Sequence, residues 1–455
     1  MSAPLHDMIV ENEDAIAAPP RHARSSLNGR SVVSPAREPA SNLTVQRPQI
    51  SNRRGLERYS SSPRHQRGHR PLRVMLLGVR GFPGVQGGAE KHVENLAAAL
   101  AQLGCDVEAT VRSCYVGKEY TFWRNVRLSR LWAPRISGVE ATVHTFLGVL
   151  RAAYRRPDIL HIHAIGPALF TPLARALGLR VVVTHHVLNY QNEKWGIVGR
   201  SLLRLGERLG MKFANGRITV SESIAKLMSS AYGVPVSAIP NGTEQPRPMQ
   251  SVGTLQAFGL SPKQYALSVA RVDAQKRQLD LIAAYARLPE PKWKLALVGD
   301  ADYTDSYTRA VAAAARDTTG VVVLGYQSGA ALAELYSHAG VFVLPSSHEG
   351  QPIALLEASS YGLRSILSDI PAHREIGVPG ARYFAVADIA SLERHLEEAL
   401  SAPSPARLSA DDQARLLHAH DWDQIARQTL GIYSDALSKK QLVKTSAGFA
   451  VRGRP

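Results

Sequence analysis

The sequence predicts an α/β protein in which two Rossmann-like, doubly wound domains face a cleft and follow a disordered N-terminal tail. Apolar strand patterns alternate with helical patterns from residue 73 to about residue 436, which is typical of parallel sheets covered by helices. A polar, Pro-containing stretch at 240–251 divides this alternation into two series of similar length. The first 70 residues are rich in Ser, Pro and Arg and show no such period.

These observations divide the chain into five expected regions. They are a disordered tail at 1–70, a first Rossmann-like domain at 71–246, a second at 247–420, a C-terminal helix at 421–437 that packs back on the first domain, and a basic tail at 438–455.

The elements of both series follow from local pattern. The first series opens with the buried-strand pattern Arg73–Val79, and a Gly-rich loop and a helical stripe that ends at Gly104 come next. Its further strands are predicted at 106–111, 159–162, 181–184 and 218–221. The second series has predicted strands at 265–270, 294–298, 321–324, 341–344 and 365–367.

The amino-acid composition favours some classes of function and disfavours others. The net charge is +16, from 54 basic and 38 acidic side chains, and about half of the excess lies in residues 21–70. This balance suits a protein that handles phosphates or touches anionic lipid. Specific nucleic-acid binding is disfavoured, since the basic residues are not interleaved with aromatic residues. Two cysteines fit a reducing cytoplasm, and neither a secretory signal nor a bilayer-spanning run is visible.

Two acids, Glu349 and Glu357, are the most informative residues. An apolar strand pattern ends at Leu344, and a helix opened by Pro352 follows Gly350. Glu349 is therefore expected in the loop at the carboxyl end of a strand, where open α/β sheets bind ligands, and Glu357 in the next helix. Two carboxylates there can accept hydrogen bonds from sugar hydroxyls at two points along one extended ligand.

Two strand-to-helix loops suit phosphate. The pair Gly87-Gly88 precedes the first helix, so the backbone can approach an anion at the helix N-terminus; the alternative is a plain flexible turn. Arg271 and Lys276 follow the first strand of the second series and are expected to converge on one diphosphate; the alternative is a solvated basic loop.

The remaining candidates are weaker. His185 and His186 end a strand, where a histidine can donate to a sugar hydroxyl, and one of the two is expected to be a packing or backbone-bonded residue. Asp300 and Asp302 form an Asp-x-Asp sequence that we interpret as structural, because no carboxylate cluster supports it. No His, Cys or Asp set has the sequence spacing of metal ligands, so no metal is expected.

Together these residues resemble the retaining family-4 glycosyltransferases, which have the two-domain GT-B fold. The resemblance runs from residue 73 to about 436, and its most specific part is Glu349-Gly350 with Glu357. Gly87-Gly88, Arg271 with Lys276, the histidine at 186 and Pro-Asn-Gly at 240–242 fall in the expected order. Finer matches at 80–84, 194–196 and 368–371 resemble a bacterial exopolysaccharide or surface-polysaccharide subgroup.

The resemblance implies a role for each residue. The backbone at Gly87 and Gly88 would contact the diphosphate, which Arg271 and Lys276 would hold as it leaves. Glu357 would bind the ribose hydroxyls, and His186 would reach the donor sugar from the other domain. Glu349, with Gly350 and the backbone of Gln351, Pro352 and Ile353, would hold that sugar.

The expected activity is metal-independent transfer of a hexose, with retention, from a nucleoside diphosphate sugar to a glycan or lipid-linked acceptor, without a cofactor. We expect a cytoplasmic enzyme with peripheral contact to anionic membrane through a basic helix carrying Arg200, Arg204, Arg208 and Lys212; a solvated helix face with Glu207 alongside is the alternative. The functional alternatives are a sugar-nucleotide epimerase or hydrolase of the same fold, and a non-catalytic polyanion-binding scaffold.

Overall fold

A computed structural model describes residues 70–136, 138–188, 196–289, 293–401 and 407–449, with side chains up to residue 438. The predicted disorder before residue 70 lies outside the described residues, as do residues 194–195 of the subgroup match and the end of the predicted basic tail. Among the helices of the described part, none is long and apolar enough to cross a membrane.

The α/β class is confirmed, with two largely parallel sheets. The first has eight strands in the order β3-β4-β2-β1-β5-β6-β7-β8, of which only the β3–β4 pair is antiparallel. Its strands are β1 (Arg73–Leu77), β2 (Asp106–Arg112), β3 (Phe122–Trp123), β4 (Val126–Leu131), β5 (Ile159–His163), β6 (Val181–His185), β7 (Gly216–Thr219) and β8 (Ser237–Ala238).

Five helices accompany this sheet. They are α1 (Gly88–Gln102), α2 (Val139–Arg155), α3 (Thr171–Ala176), α4 (Ile197–Phe213) and α5 (Glu222–Tyr232). The central strand β1 lies between β2 and β5, with Val74 beside both Val107 and Ile159. Strands buried on both faces favour continuous apolar runs, and β1 has such a run from Val74 to Leu77, whereas the buried β5 also contains His161 and His163.

The second sheet has six strands in the order β11-β10-β9-β12-β13-β14. They are β9 (Tyr265–Val269), β10 (Lys294–Val298), β11 (Val321–Gly325), β12 (Val341–Leu344), β13 (Ser365–Ser368) and β14 (Arg382–Phe384). The helices around and after it are α6 (Gly253–Ala257), α7 (Gln278–Ala286), α8 (Ser306–Asp317), α9 (Gly329–His338), α10 (Ile353–Ser360), α11 (Pro371–Ile376), α12 (Ile389–Leu400), α13 (Ala410–Ala419) and α14 (Trp422–Phe449).

The last helix, α14, follows the second sheet but packs on the first. Its residues Trp422, Ile425 and Tyr433 are buried in the apolar cluster that also contains β1 and α1. The helix extends to Phe449, which is beyond the predicted end at residue 437. The domain boundaries that we expect near residues 246 and 420 remain predictions.

Several elements differ from the predictions. The strand expected at 218–221 is β7 at Gly216–Thr219, because Ser221 caps α5 by accepting a hydrogen bond from the Ile224 amide at 3.3 Å. The strands β3, β4, β8 and β14 were not predicted, and they are short or alternate with exposed polar residues. The main strands of both series lie where their apolar runs predict them.

Candidate active site

Both sheets reverse their strand order at a point where candidate residues follow the strands. In the first sheet the reversal lies between β1 and β5, and in the second it lies between β9 and β12. Open α/β sheets form a crevice for ligands at this point. The Gly-rich loop follows β1, the loop with Arg271 and Lys276 follows β9, and the loop with Glu349 follows β12.

The side chain of Glu349 is 10% exposed, and its carboxylate is paired with a cation. Its Oε1 accepts hydrogen bonds from the Lys276 ammonium at 2.5 Å and from the Ser346 hydroxyl at 2.8 Å. Burial alone would raise the pKa of Glu349, but the charge and hydrogen bond of Lys276 outweigh it and hold the pKa below its usual range. Glu349 is therefore an acceptor of hydrogen bonds and not a donor of protons near neutral pH.

The loop of Glu349 lies directly against the end of β6. A Cβ added to Gly350 would overlap the backbone carbonyl oxygen of His186, so the glycine permits the contact between the two sheet units. The neighbouring Gln351 fixes the same contact, since its backbone carbonyl accepts from the Asn241 side chain at 2.7 Å. Residues that are far apart in the sequence, Gly350 with His186 and Gln351 with Asn241, are thus in contact.

The residues after Gly350 lead into α10. Pro352 is the N-cap of this helix and Ile353 is its first residue, and both are buried. The resemblance implied donor-sugar contacts from the backbone of Gln351, Pro352 and Ile353. Pro352 has no amide hydrogen, so only Gln351 and Ile353 can donate from the backbone here.

His186 belongs to a cluster of neutral imidazoles. Its Nε2 lies 3.2 Å from Nδ1 of His163, and its ring meets the edge of His92. Burial first, and the proximity of other histidines second, lower the pKa of His186 and of His163 well below the usual value. His92 has a pKa of about 4, lowered by burial. A neutral imidazole has one donor and one acceptor nitrogen, so it can bond to a sugar hydroxyl in either direction.

The two adjacent histidines have different roles. His185 Nε2 lies 2.9 Å from the buried carboxylate of Glu207, which also accepts from Tyr232 at 2.7 Å. Glu207 therefore points into the protein and does not lie alongside the basic residues of α4, which corrects the alternative stated above. His161 bonds to Tyr433 and Thr184, at 2.7 Å each, and is a satisfied core residue.

The histidines that sequence spacing did not connect come together in space. One ring nitrogen each of His92, His163 and His186 lies within 4.8 Å of the others, and this is the single group of that kind among the described residues. The three come from α1, β5 and the end of β6, so no local sequence motif indicates this cluster. Nε2 of His163 is buried without a partner. The expectation of no metal remains a prediction.

Glu357 lies on α10 and its pKa is shifted in the opposite direction from that of Glu349. Burial raises the pKa of Glu357, and the charge of Lys91 and a hydrogen bond from Tyr336 at 3.1 Å offset only part of this rise. Lys91 belongs to α1 of the first sheet unit, and its Nζ lies 3.6 Å from Glu244. Sequence reasoning missed Lys91, although it follows the Gly-rich loop closely.

The Gly-rich loop is held by one arginine. Arg80 donates to Glu90 Oε1 at 3.0 Å and to the backbone carbonyl of Gln86. Gly87 has a φ of 148° and lies so close to Glu90 that a Cβ would overlap its carboxylate. Gly88 is the first residue of α1 and faces open space, which leaves room for an anion.

Arg271 and Lys276 have different partners in this structure. Lys276 pairs with Glu349, whereas Arg271 Nη1 lies 2.5 Å from Oδ2 of Asp302. The other oxygen of Asp302 lies 2.5 Å from Arg80 Nη1. Asp302 thus carries two ion pairs, and the structural interpretation of Asp-x-Asp remains a prediction.

Asn241, in the Pro-Asn-Gly motif of the resemblance, makes contacts that the sequence did not predict. The Pro-Asn-Gly stretch at 240–242 was interpreted as a linker, but Asn241 is buried and bonds to both sheet units. Its Oδ1 lies 2.8 Å from His92 Nδ1, its carbonyl lies 2.8 Å from His420 Nδ1, and its amide groups bond to Gln351. It forms a rigid joint at the base of the site.

Residues of the two α/β sheet units thus contact one another at this site, as Gly350 does with His186 and Asp302 with Arg80. Two family models match the chain: "Glycosyltransferase Family 4" at residues 86–245 and "Glycosyl transferases group 1" at residues 256–417. The matched ranges lie on the first and the second sheet unit, respectively, and together span most of the chain.

Curated relatives and solved structures are similar to this chain over most of its length. The alpha-maltose-1-phosphate synthase of Mycobacterium tuberculosis is 28% identical, over 80% of this chain and 99% of that protein. The GDP-mannose:cellobiosyl-diphosphopolyprenol alpha-mannosyltransferase of Komagataeibacter xylinus is 25% identical, over 82% of this chain and 95% of that protein. The structure of sucrose-phosphate synthase from Thermosynechococcus elongatus superposes with a TM-score of 0.70 at 21% identity, over 80% of this chain and 99% of that chain. The structure of Anabaena HepE in complex with UDP-glucose superposes with a TM-score of 0.65 at 17% identity, over 81% of this chain and 100% of that chain.

The chain belongs to the family-4, group 1 glycosyltransferases, a family of retaining hexosyltransferases with the GT-B fold. It transfers a sugar from a nucleotide sugar to an acceptor.

Proposed function

We propose that the protein moves a hexose from a nucleoside diphosphate sugar to a glycan or lipid-linked sugar acceptor during synthesis of a bacterial exopolysaccharide or surface polysaccharide. The similarity to the Komagataeibacter xylinus mannosyltransferase, whose acceptor is a diphosphopolyprenol-linked sugar, supports this class of acceptor. The subgroup motifs at 80–84 and 368–371 support it as well.

The donor diphosphate would lie between the Gly-rich loop and the loop after β9. Arg271 and Lys276 supply the cations there, and Gly87 and Gly88 let the backbone approach at the N-terminus of α1. Negative charge grows on the diphosphate as the glycosidic bond to the sugar breaks. Fixed cations that meet this charge stabilise the transition state more than the ground state.

Glu357 would bind the ribose hydroxyls, and Glu349 the transferred sugar. Because Glu349 is ionised and held by Lys276, it accepts hydrogen bonds from sugar hydroxyls and offsets positive charge that grows at the anomeric carbon. His186 reaches the sugar from the first sheet unit as a neutral hydrogen-bonding group. Gly350, and the backbone amides of Gln351 and Ile353, complete the sugar pocket.

Retention of configuration needs the acceptor to attack on the face from which the diphosphate leaves. The bond from the anomeric carbon to the phosphate oxygen breaks, the acceptor oxygen bonds to that carbon, and its proton passes to the leaving phosphate. No protein base is required, which fits an ionised but lysine-paired Glu349. No metal ion or cofactor enters this scheme.

The observation that carries the proposal is the meeting of Glu349 and Gly350 with the end of β6 at His186, beside Lys276. A screen of UDP-, GDP- and ADP-hexoses with a polyprenyl-diphosphate-linked sugar acceptor tests it. We expect one donor to yield a glycosylated acceptor with the anomeric configuration of the donor retained. Turnover of the donor that is equally fast without acceptor would identify an epimerase or hydrolase instead. Anion binding without turnover of any donor would identify a scaffold.

Because the proposed acceptor is lipid-linked, we also propose that the protein contacts the membrane at its cytoplasmic face. Helix α4 exposes Arg204, Arg208 and Lys212 next to the exposed apolar residues Ile197, Val198, Leu202 and Leu205. Basic and apolar residues on one exposed face suit anionic lipid headgroups. Flotation with vesicles that contain phosphatidylglycerol should recover the protein, and replacement of the three basic residues by Ser should abolish this. Equal recovery with neutral vesicles would contradict an anionic preference.

A further inference from the structure

One carboxylate, that of Asp302, lies between two guanidinium groups from the two sheet units. Its Oδ1 is 2.5 Å from Nη1 of Arg80, in the loop after β1, and its Oδ2 is 2.5 Å from Nη1 of Arg271, in the loop after β9. Asp302 itself lies in the loop after β10. Each arginine therefore pairs with a different oxygen of one anion, and guanidinium groups bind phosphate oxygens as they bind carboxylate oxygens.

Arg80 is preorganised for this position. Its Nε donates to Glu90 at 3.0 Å and its Nη2 donates to the carbonyl of Gln86, so Nη1 is the part that extends to the second sheet unit. Its side chain is only 14% exposed, against 32% for Arg271. A cation that is fixed before the ligand arrives loses little conformational entropy on binding.

The backbone beside this cluster is also joined across the two units. The side chain of Gln86 donates to the carbonyl of Asp300 and accepts from the amide of Asp300, at 3.1 Å each. Gln86 directly precedes the glycine pair at 87–88, so the loops that would hold the diphosphate are linked where the Asp302 carboxylate lies.

The electrostatics agree with an anion site. Burial alone would raise the pKa of Asp302, but the charges of Arg271 and Arg80 outweigh burial and lower it. An ionised carboxylate with one negative charge faces two positive charges. A diphosphate carries more charge and more acceptor oxygens than this carboxylate, so it can replace Asp302 on both arginines.

We propose that Asp302 occupies the place of the donor diphosphate in the substrate-free protein, and that Arg80 is a further diphosphate-binding residue, contributed by the first sheet unit. This inference rests on the proposed function, because it assumes that Arg271 holds the diphosphate. Donor binding then exchanges the Asp302 carboxylate for phosphate oxygens, and Asp302, whose side chain is 26% exposed, turns to solvent.

The test is the affinity of nucleoside diphosphates for the full chain. UDP, GDP and ADP are titrated calorimetrically, with uridine, guanosine and adenosine as phosphate-free probes. Because Asp302→Asn removes the competing charge, we expect it to tighten diphosphate binding about three- to tenfold, as two partly exposed ion pairs allow, and to leave nucleoside binding unchanged. Asp305→Asn is the matched control, since Asp305 caps α8 in the same loop and Asn preserves a cap.

Unchanged or weaker diphosphate binding by Asp302→Asn, with a wild-type unfolding temperature, would overturn the proposed competition. Arg80→Gln provides an independent variant: we expect about tenfold weaker diphosphate binding and unchanged nucleoside binding, because a charge-assisted contact to phosphate is lost. Equal loss for the diphosphate and the nucleoside would mean that Arg80 only orders the loop. If Arg271→Ala binds diphosphate as the wild type does, the proposed function itself fails, and this outcome is separate from the other two.

Discussion

The two sides of the candidate site differ in charge. The side from the first sheet unit presents His92, His163 and His186, whose pKa values are all lowered by burial, so their rings are neutral. The side from the second sheet unit presents ion pairs, Lys276 with Glu349 and Arg271 with Asp302, and Asp302 also pairs with Arg80 from the first sheet unit. In the proposed division of labour, the cations hold the charged leaving group, and His186 adds a neutral hydrogen-bonding group to the pocket that Glu349 forms for the uncharged sugar.

The charged side should give the largest effect. We expect Lys276→Ala to lower kcat/KM about 10²- to 10³-fold, because a fixed cation that meets the growing phosphate charge is lost. The variant also leaves Glu349 buried without its cation, so the unfolding temperature should fall. Arg277→Ala is the matched control, since Arg277 pairs with Asp280 at 2.5 Å and not with Glu349. A loss in kcat/KM below tenfold would show that Lys276 does not serve the leaving group.

The contact between the two sides can be broken with one methyl group. Gly350→Ala would push the Glu349 loop away from the His186 carbonyl. We expect a loss of about 1–3 kcal/mol in the free energy of unfolding from overpacking. We expect up to about a hundredfold loss in kcat from misplacement of the sugar-binding groups. Gly431→Ala on α14, where a Cβ meets open space, is the control. Wild-type activity of Gly350→Ala would mean that the two sides act independently.

The neutral side should affect turnover and not nucleotide affinity. We expect His186→Gln to lower kcat about tenfold, the value of one hydrogen bond made in the transition state, with unchanged affinity for the nucleoside diphosphate. Stopped-flow turnover and calorimetry measure the two quantities separately. Weaker diphosphate binding by this variant would place His186 at the phosphates and remove the division of labour.

Glu357 should show a pH dependence of stability with a defined sign. Its pKa is raised in the folded protein, so the stability that it contributes is present below the unfolded pKa and is lost as pH rises through the folded pKa. We expect Glu357→Gln to match the wild type in thermal unfolding at pH 4 and to unfold at a higher temperature at pH 8. The same variant should bind nucleoside diphosphate about tenfold more weakly, because one charged acceptor for the ribose is lost, at about 1.5 kcal/mol. A variant that is less stable at pH 8 would contradict the raised pKa.

The smallest expected effect is that of metal removal. Dialysis against EDTA should leave kcat/KM unchanged, because cations of the protein meet the diphosphate charge. Added Zn²⁺ tests the cluster of His92, His163 and His186 directly, and inhibition that His92→Gln relieves would show that these histidines bind metal. Loss of activity in EDTA that Mg²⁺ restores would contradict the metal-independent scheme.

Sequence reasoning could predict the parts of this molecule that depend on local pattern. The buried runs of β1, β9 and β12 predicted the central strands, because strands inside a parallel sheet are apolar on both faces. Each of these strands is followed by a loop that carries candidate residues, so the neighbourhood of Gly88, Arg271 and Glu349 followed from the topology.

Other features depend on contacts between distant residues. The cluster of three histidines joins α1, β5 and β6, and the ion pairs of Asp302 join the loops after β1, β9 and β10. The spacing of these residues in the sequence does not reveal such contacts. Asn241 was interpreted as part of a linker because Pro-Asn-Gly is typical of turns, but four hydrogen bonds to three partners make it a buried joint. Glu207 was placed beside the basic residues of α4, because helix spacing does not reveal which side faces His185.

The most direct test of the division of labour is the dissociation constant of the nucleoside diphosphate for three proteins: the wild type, Arg271→Ala and His186→Gln. We predict that Arg271→Ala binds at least about tenfold more weakly, since a charge-assisted bond to phosphate is lost, and that His186→Gln binds as the wild type does. The reverse pattern, with weak binding by His186→Gln and wild-type binding by Arg271→Ala, would contradict the account.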